Sequence, residues 1–222
     1  MGAGARLAVD AGGDAAGRLT MSTRVPAQQV RAARREDFPA MARVLARAFH
    51  EDPLTAWLYP RERSRDRHVE RSFMVSLTRL APQDQLYTTD DHAGGALWAL
   101  PGQWREDLRQ TASSLTLLPP LLPRLLRTMR AMARIEVAHP LDAHYYLSVL
   151  GTAPERRREG VGSALLGPVL DRCDAERVPA YLETATEANV GFYARHGFEV
   201  QRRLELPGGA PSLWLLWREP HV

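Results

Sequence analysis

The chain has no lysine, so all 29 of its basic side chains other than histidine are arginine. It has one asparagine, one isoleucine and one cysteine. A single cysteine, Cys173, excludes an intramolecular disulfide and fits a reducing compartment such as the cytoplasm. Its position inside a helical pattern predicts a half-buried structural thiol rather than a nucleophile. Long uninterrupted apolar runs are also missing. The most leucine-rich stretch, 104–139, is broken by Pro119, Pro120 and Pro123 and by several arginines, which excludes a membrane span there. A net charge of +3 is small, and the arginines alternate with acids, so a nucleic-acid partner is not expected. No cluster of metal-ligand spacing stands out, and no metal is expected.

What is present suits one core. At 222 residues and 45% hydrophobic content the chain can bury a single domain. Residues 1–24 are Gly/Ala-rich without periodicity and read as a disordered tail; 25–222 reads as one domain. A short strand is predicted near Gln28–Ala33, and a helix from Arg35 to His50 with an apolar stripe of Phe38, Met41, Val44, Leu45 and Phe49. A second helix is predicted from Ser64, as N-cap, to Leu80. Gln85–Thr89 and Gly95–Leu100 read as a hairpin. Residues 104–139 read as mostly helical, either covering the acceptor side of a site or packing without substrate contact.

The most informative stretch is Leu147–Leu166. Its apolar start continues the strand Tyr145–Leu150. An arginine-rich turn follows, then Gly160-Val161-Gly162-Ser163 and apolar residues at helical spacing. A strand, a Gly-rich turn and a helix N-terminus form an anion cradle, because the first helical amides lack internal partners and the helix dipole favours negative charge. Glycines at 160 and 162 leave the backbone open to a pyrophosphate. The helix should run to about Arg177, with a kink at Pro168. A strand is predicted at Pro179–Thr184 and a short helix at Glu187–His196. Phe198–Leu206 and Ser212–Arg218 should close the sheet as an antiparallel pair. On the short helix Asn189 and Tyr193 are four residues apart and share a face. That the one asparagine stands there sharpens the pattern.

These two segments resemble the GNAT superfamily of N-acetyltransferases. The family's phosphate motif, Gln/Arg-x-x-Gly-x-Gly/Ala, matches Arg157, Gly160 and Gly162. Its later pattern Asn-x-x-x-Tyr-x-x-x-Gly-Phe matches Asn189, Tyr193, Gly197 and Phe198. The resemblance implies an α/β GNAT fold: a mixed, twisted, mostly antiparallel sheet splayed between its fourth and fifth strands and flanked by helices. It implies acetyl-CoA as co-substrate, with pantetheine along the backbone of Val149 and Leu150. Pyrophosphate would lie on the turn of Arg157, Arg158, Glu159, Gly160, Val161, Gly162 and Ser163, and Asn189 would reach the pantetheine arm. Glu159 departs from the pattern by adding a negative charge. Tyr193 is the implied general acid toward the sulfur, or else core packing. Glu183 at the end of the fifth strand is the base candidate, or else a structural acceptor. Glu51 and Asp52 are alternatives for binding a cationic amine.

Further pieces resemble the puromycin-acetyltransferase-like branch: Ala48-Phe49 with Asp52-Pro53, Trp98 with Pro101, His144-Tyr145-Tyr146-Leu147, Leu182-Glu183-Thr184, and the Trp214-x-x-Trp217-Arg218 ending. The branch implies a small-molecule amine as acceptor. A protein or peptide acceptor, or an acyl-CoA-binding module without turnover, remain the alternatives. Oligomeric state is not legible, and a homodimer is left open.

Overall fold

The structure is a computed structural model, and it describes residues 29–105 and 124–221. The expected tail lies outside them, as do residues 106–123 of the leucine-rich stretch.

The described elements run β1 (Val30–Ala32), α1 (Phe38–Ala48), α2 (Pro53–Leu58), α3 (Glu62–Leu80), β2 (Leu86–Thr89), β3 (Gly94–Ala99), α4 (Leu125–Ala138), β4 (Tyr145–Thr152), α5 (Val161–Glu176), β5 (Ala180–Thr184), α6 (Val190–Ala194), β6 (Glu199–Leu204) and β7 (Leu213–Arg218). Seven strands form one sheet in the order β1-β2-β3-β4-β5-β7-β6. All neighbours are antiparallel except β4 and β5. Among the described residues no helix is long and apolar enough to cross a membrane.

Period-two alternation divides the sheet into two covered faces. On one, Leu97, Ala99 and Val149 pack under α1 and α3, and Tyr181, Leu213 and Leu215 pack with Ala138 at the end of α4. On the other, Ala96, Trp98, Tyr145, Leu147 and Leu182 meet the α5 residues Val161, Leu165, Leu166 and Val169 and Tyr193 of α6. Cys173 lies fully in this second layer. Burial pushes its thiol up to about 12, so it is the inert structural thiol expected.

Two local details differ from expectation. Asp52-Pro53 does not simply end α1; it starts the short helix α2, with Asp52 Oδ1 accepting from the Thr55 amide at 2.9 Å and proline at the first turn. α3 begins at Glu62 after Arg61, so Ser64 is inside its first turn and donates to the Arg61 carbonyl instead of capping. α5 runs from Val161 to Glu176 with Pro168 inside it.

The feature that opens the sheet is in β4. Its parallel pairing with β5 covers only Tyr145↔Ala180, Tyr146↔Tyr181 and Leu147↔Leu182. Its antiparallel pairing with β3 continues to Thr152, but slips at Leu97/Trp98, where Ser148 is the extra residue. A bulge bends the strand that carries it. From Ser148 onward β4 therefore follows β3 away from β5 and leaves a gap in which the β4 edge is unpaired among the described residues.

Candidate active site

The gap is bordered by the anion cradle on one side. β4 ends at Thr152, a single turn over Pro154–Arg156 follows, and Gly160 precedes α5. None of the amides from Arg157 to Ser163 has a protein acceptor among the described residues; the first amide bonded in the helical pattern is Ala164, to the Gly160 carbonyl at 2.9 Å. Arg158 and Gly160 both have positive φ, +67° and +83°. Gly160 is thus required by its backbone, and a Cβ there would face open space. At Gly162 the reason is different. A Cβ would lie 3.2 Å from Cζ of Phe192, so this glycine lets α5 approach α6.

The arginines divide their work. Arg156 is held by Glu159 at 2.6 Å and Asp91 at 2.5 Å. Glu159 therefore does not face the cradle as a free negative charge, and Arg156 is not a free phosphate ligand. Arg157 turns to the Ala48 carbonyl at the end of α1, 3.2 Å away. Its place in the motif supplies a backbone amide and ties the cradle to α1. Arg158 is exposed. Ser163 Oγ lies 3.0 Å from Nε2 of His196. Asn189 sits at the start of α6 with its side chain exposed and making no capping hydrogen bond. Val149 and Leu150 lie on the unpaired edge of β4.

Glu183 and Tyr193 are brought to opposite faces of the sheet at the gap. Tyr193, only 7% exposed, belongs to the α5 layer. Burial pushes its phenol well above the ordinary tyrosine value, and the charge of Asp52 adds to this. Its hydroxyl has no hydrogen-bond partner among the described residues. Asp52 itself is raised by burial, and besides capping α2 it faces Thr186 beyond β5. Glu51 is exposed.

Glu183 is on the α4 face, opposite Leu215 of β7, with its side chain 8% exposed. One carboxylate oxygen lies 3.3 Å from Nδ1 of His139. Burial first, then the Glu183 charge, pushes the phenols of Tyr146 and Tyr181 well up. The Tyr181 hydroxyl is fully buried and has no partner at normal hydrogen-bond distance. Trp104 stacks on His139 with ring centroids 3.7 Å apart. His139 was not singled out in the sequence, and His144 only as part of the branch resemblance, because nothing in their spacing announces that they meet behind Glu183.

The carboxyl end of β5 is closed over by three segments. Trp57 of α2 donates to the Gly208 carbonyl in the β6–β7 turn at 3.3 Å. Arg124 donates to the Trp57 carbonyl, and Arg127 lies over the Trp57 ring. Two open cavities, of about 600 and 490 Å³, lie over β6 and β7 beside Ala138, Asp142 and Tyr181, and beside Ser163, Asp174 and Arg195. Neither is lined by Glu183 or Tyr193.

Residues 128–200, from α4 through α6, match the family model "Acetyltransferase (GNAT) domain". Over those residues the chain is similar to a GNAT acetyltransferase domain. It is 26% identical over 206 residues to an uncharacterised N-acetyltransferase of Schizosaccharomyces pombe, covering 84% of this chain and 81% of that protein. Domain and relative together make the chain an N-acetyltransferase. The fold of this acetyltransferase is shared with solved structures. A Corynebacterium glutamicum protein described as histone acetyltransferase HPA2 and related acetyltransferase superposes with a TM-score of 0.62 at 22% identity, covering 88% of this chain and 98% of that one. Arylalkylamine N-acetyltransferase 2 of Aedes aegypti gives 0.53 at 11% identity, covering 87% and 99%. Acetyltransferases of this family use acetyl-CoA as co-substrate. The bare amides, the open space at Gly160 and the unpaired β4 edge fit such a molecule.

Proposed function

We propose that the chain transfers an acetyl group from acetyl-CoA to the primary amine of a small molecule, by direct attack of the amine on the thioester, as its likeness to the puromycin-acetyltransferase-like branch implies. The observation that carries this reading is the gap beyond Leu147 and Leu182, with a carboxylate on one face and a buried phenol on the other. Acetyl-CoA supplies an electrophilic thioester carbonyl and a thiol leaving group.

The chain's residues do the rest. Amides from Arg157 to Ser163 bind the phosphates, the edge at Val149 and Leu150 pairs with the pantetheine amides, and Asn189 holds that arm. Glu183 takes the proton of the attacking amine. Tyr193, kept protonated by burial, donates toward the leaving sulfur. The branch resemblance favours a small acceptor; α2, the start of α4 and the β6–β7 turn are tied together through Trp57.

A thiol-release assay against a panel of primary amines and N-terminal peptides tests the reading. Turnover on free amines is the expected result. Turnover on peptides alone would replace the acceptor class, and acetyl-CoA binding without turnover on anything would make the chain a binding module.

A further inference from the structure

Behind Glu183 a row of polar groups continues through the protein. Glu183 Oε1 is 3.3 Å from His139 Nδ1, His139 Nε2 is 3.0 Å from His144 Nε2, and His144 Nδ1 is 2.6 Å from the Asp142 carbonyl oxygen. His139 and His144 are 5% and 1% exposed. Their rings are fixed by packing: Tyr146 and Tyr181 meet His139 edge-on at 4.8 Å, and Trp217 meets His144 edge-on at 5.5 Å.

Counting protons along this row is decisive. Both ends are acceptors, a carboxylate and a backbone carbonyl. A neutral imidazole carries one N–H. The short contact to the carbonyl takes the N–H of His144 on Nδ1 and leaves Nε2 bare. The next contact then takes the N–H of His139 on Nε2 and leaves its Nδ1 bare toward Glu183. Three contacts thus share two protons. With both rings neutral, any other choice of tautomers only moves the opposed pair of acceptors to another contact; a proton added to the row fills that contact, as an ion pair of His139 with Glu183 or as a protonated Glu183. Desolvation first, and His139 among the neighbouring charges, hold His144 below the usual histidine value, so it does not supply the missing proton.

We propose that Glu183, His139 and His144 work as one base, in which the emptied row, with two acceptors opposed at one contact, draws the amine proton onto Glu183 and holds it between Glu183 and His139. This rests on the acetyl-transfer reading above and deepens it. The amine N–H bond breaks, its electron pair stays on the attacking nitrogen, and an O–H bond forms on Glu183. The row goes from a charge of −1 to neutral, which is the favoured direction in a buried site. Release of the proton to water resets it. His139 and His144 touch no substrate and are positioning residues. The other groups facing the row are the hydroxyls of Tyr146 and Tyr181, Arg79 from α3, Arg202 of β6, which donates to the Ala138 carbonyl at 3.1 Å, and Asp142.

The test is nitrogen NMR on the full chain labelled at histidine, with pH–rate profiles of variants. With no amine bound, His144 should carry its proton on Nδ1 and His139 on Nε2; a His144 protonated on Nε2 alone, or a His139 protonated on both nitrogens, would overturn the proposal. His144→Phe removes the opposed contact, since His139 can then turn its N–H to Glu183. The acidic limb of kcat/KM should move to lower pH by about one to two units, the worth of one unsatisfied buried acceptor. Acetyl-CoA affinity should not change. His144→Gln can donate to Asp142 and accept from His139, and should restore the wild-type limb. An unmoved limb in folded His144→Phe, or equal limbs in both variants, would also overturn it. If no amine is acetylated at all, the acetyl-transfer reading fails separately, and the tautomers still decide whether the row exists.

Discussion

Tyr193→Phe is the perturbation in which packing and chemistry separate most cleanly. The ring stays in place against Phe192 and Phe198, whose centroids lie 5.2 and 5.9 Å away. The lost hydroxyl has no protein partner among the described residues, so its removal leaves no orphaned donor or acceptor. Stability should change by less than about 1 kcal/mol, because no buried partner is left unsatisfied. If the hydroxyl donates toward the departing thiolate, kcat should fall by roughly 10²–10⁴-fold, or about 3–5 kcal/mol of barrier. Acetyl-CoA affinity should change far less, since the charge being stabilised exists mainly in the transition state. Burial and the charge of Asp52 both raise this phenol, so any loss of activity from its ionisation should lie above the ordinary tyrosine range, with no such limb near pH 10. Stopped-flow or quenched single-turnover measurement of thiol release isolates the chemical step, and thermal unfolding checks the fold. Wild-type turnover with chemistry shown to limit the rate would refute the reasoning and leave Tyr193 as core packing.

Glu183→Gln should lower turnover most near neutral pH, with the loss shrinking at high pH where the amine is already deprotonated; a loss equal at every pH would assign Glu183 a structural role. Gly160→Val should raise the calorimetric Kd for acetyl-CoA, because a branched residue at φ +83° strains the turn by about 1–2 kcal/mol and fills the open space before the amides; unchanged affinity in the folded variant would remove the cradle. Arg218→Met should destabilise by about 2–3 kcal/mol in denaturant titration. It strips Asp174 of two bonds at 2.8 Å, and Asp174 stays partly hydrated, which keeps the loss below that of a fully buried pair. Asp37, Asp91 and Asp174 are all held below the usual carboxylate range, first by hydrogen bonds from Arg31, Thr89 and Arg218 respectively. Depressed folded values give stability that is complete above the unfolded value and lost on acidification. The melting temperature should therefore hold from neutrality to about pH 5 and fall between about pH 4 and 2; a midpoint insensitive to acid would contradict these pairings.

Much of the site was legible because it is local. The unbonded amides before α5 follow from a strand, a Gly-rich turn and a helix start within twenty residues. Asn189 and Tyr193, expected on one helical face, differ in setting: Asn189 precedes α6 and is exposed, whereas Tyr193 is buried. Asp52-Pro53 held a readable signal, a capping acid before a proline, for a helix that sequence reasoning passed over. Other features carried no such signal. Arg156 and Glu159 look like neighbours in a charge run, yet Asp91, from the β2–β3 turn, completes their pairing. The kind of glycine needed at 162 depends on Phe192, thirty positions away.

By itself, the sequence determined most of the order of strands and helices and the strand, Gly-rich turn and helix start of the cradle, which follow from periodicity and backbone freedom within short windows. The choice of Glu183 and Tyr193 as proton-moving candidates came from the family resemblance. Only the tertiary structure decided where the sheet parts, since that depends on one extra residue, Ser148, opposite β3. It also decided that Glu183 and Tyr193 stand on opposite faces of the parting, and that two histidines from the ends of α4 and β4 stack up behind the carboxylate. Those contacts join residues that no local pattern links; packing of the α4 end against β5 brings them within hydrogen-bond distance.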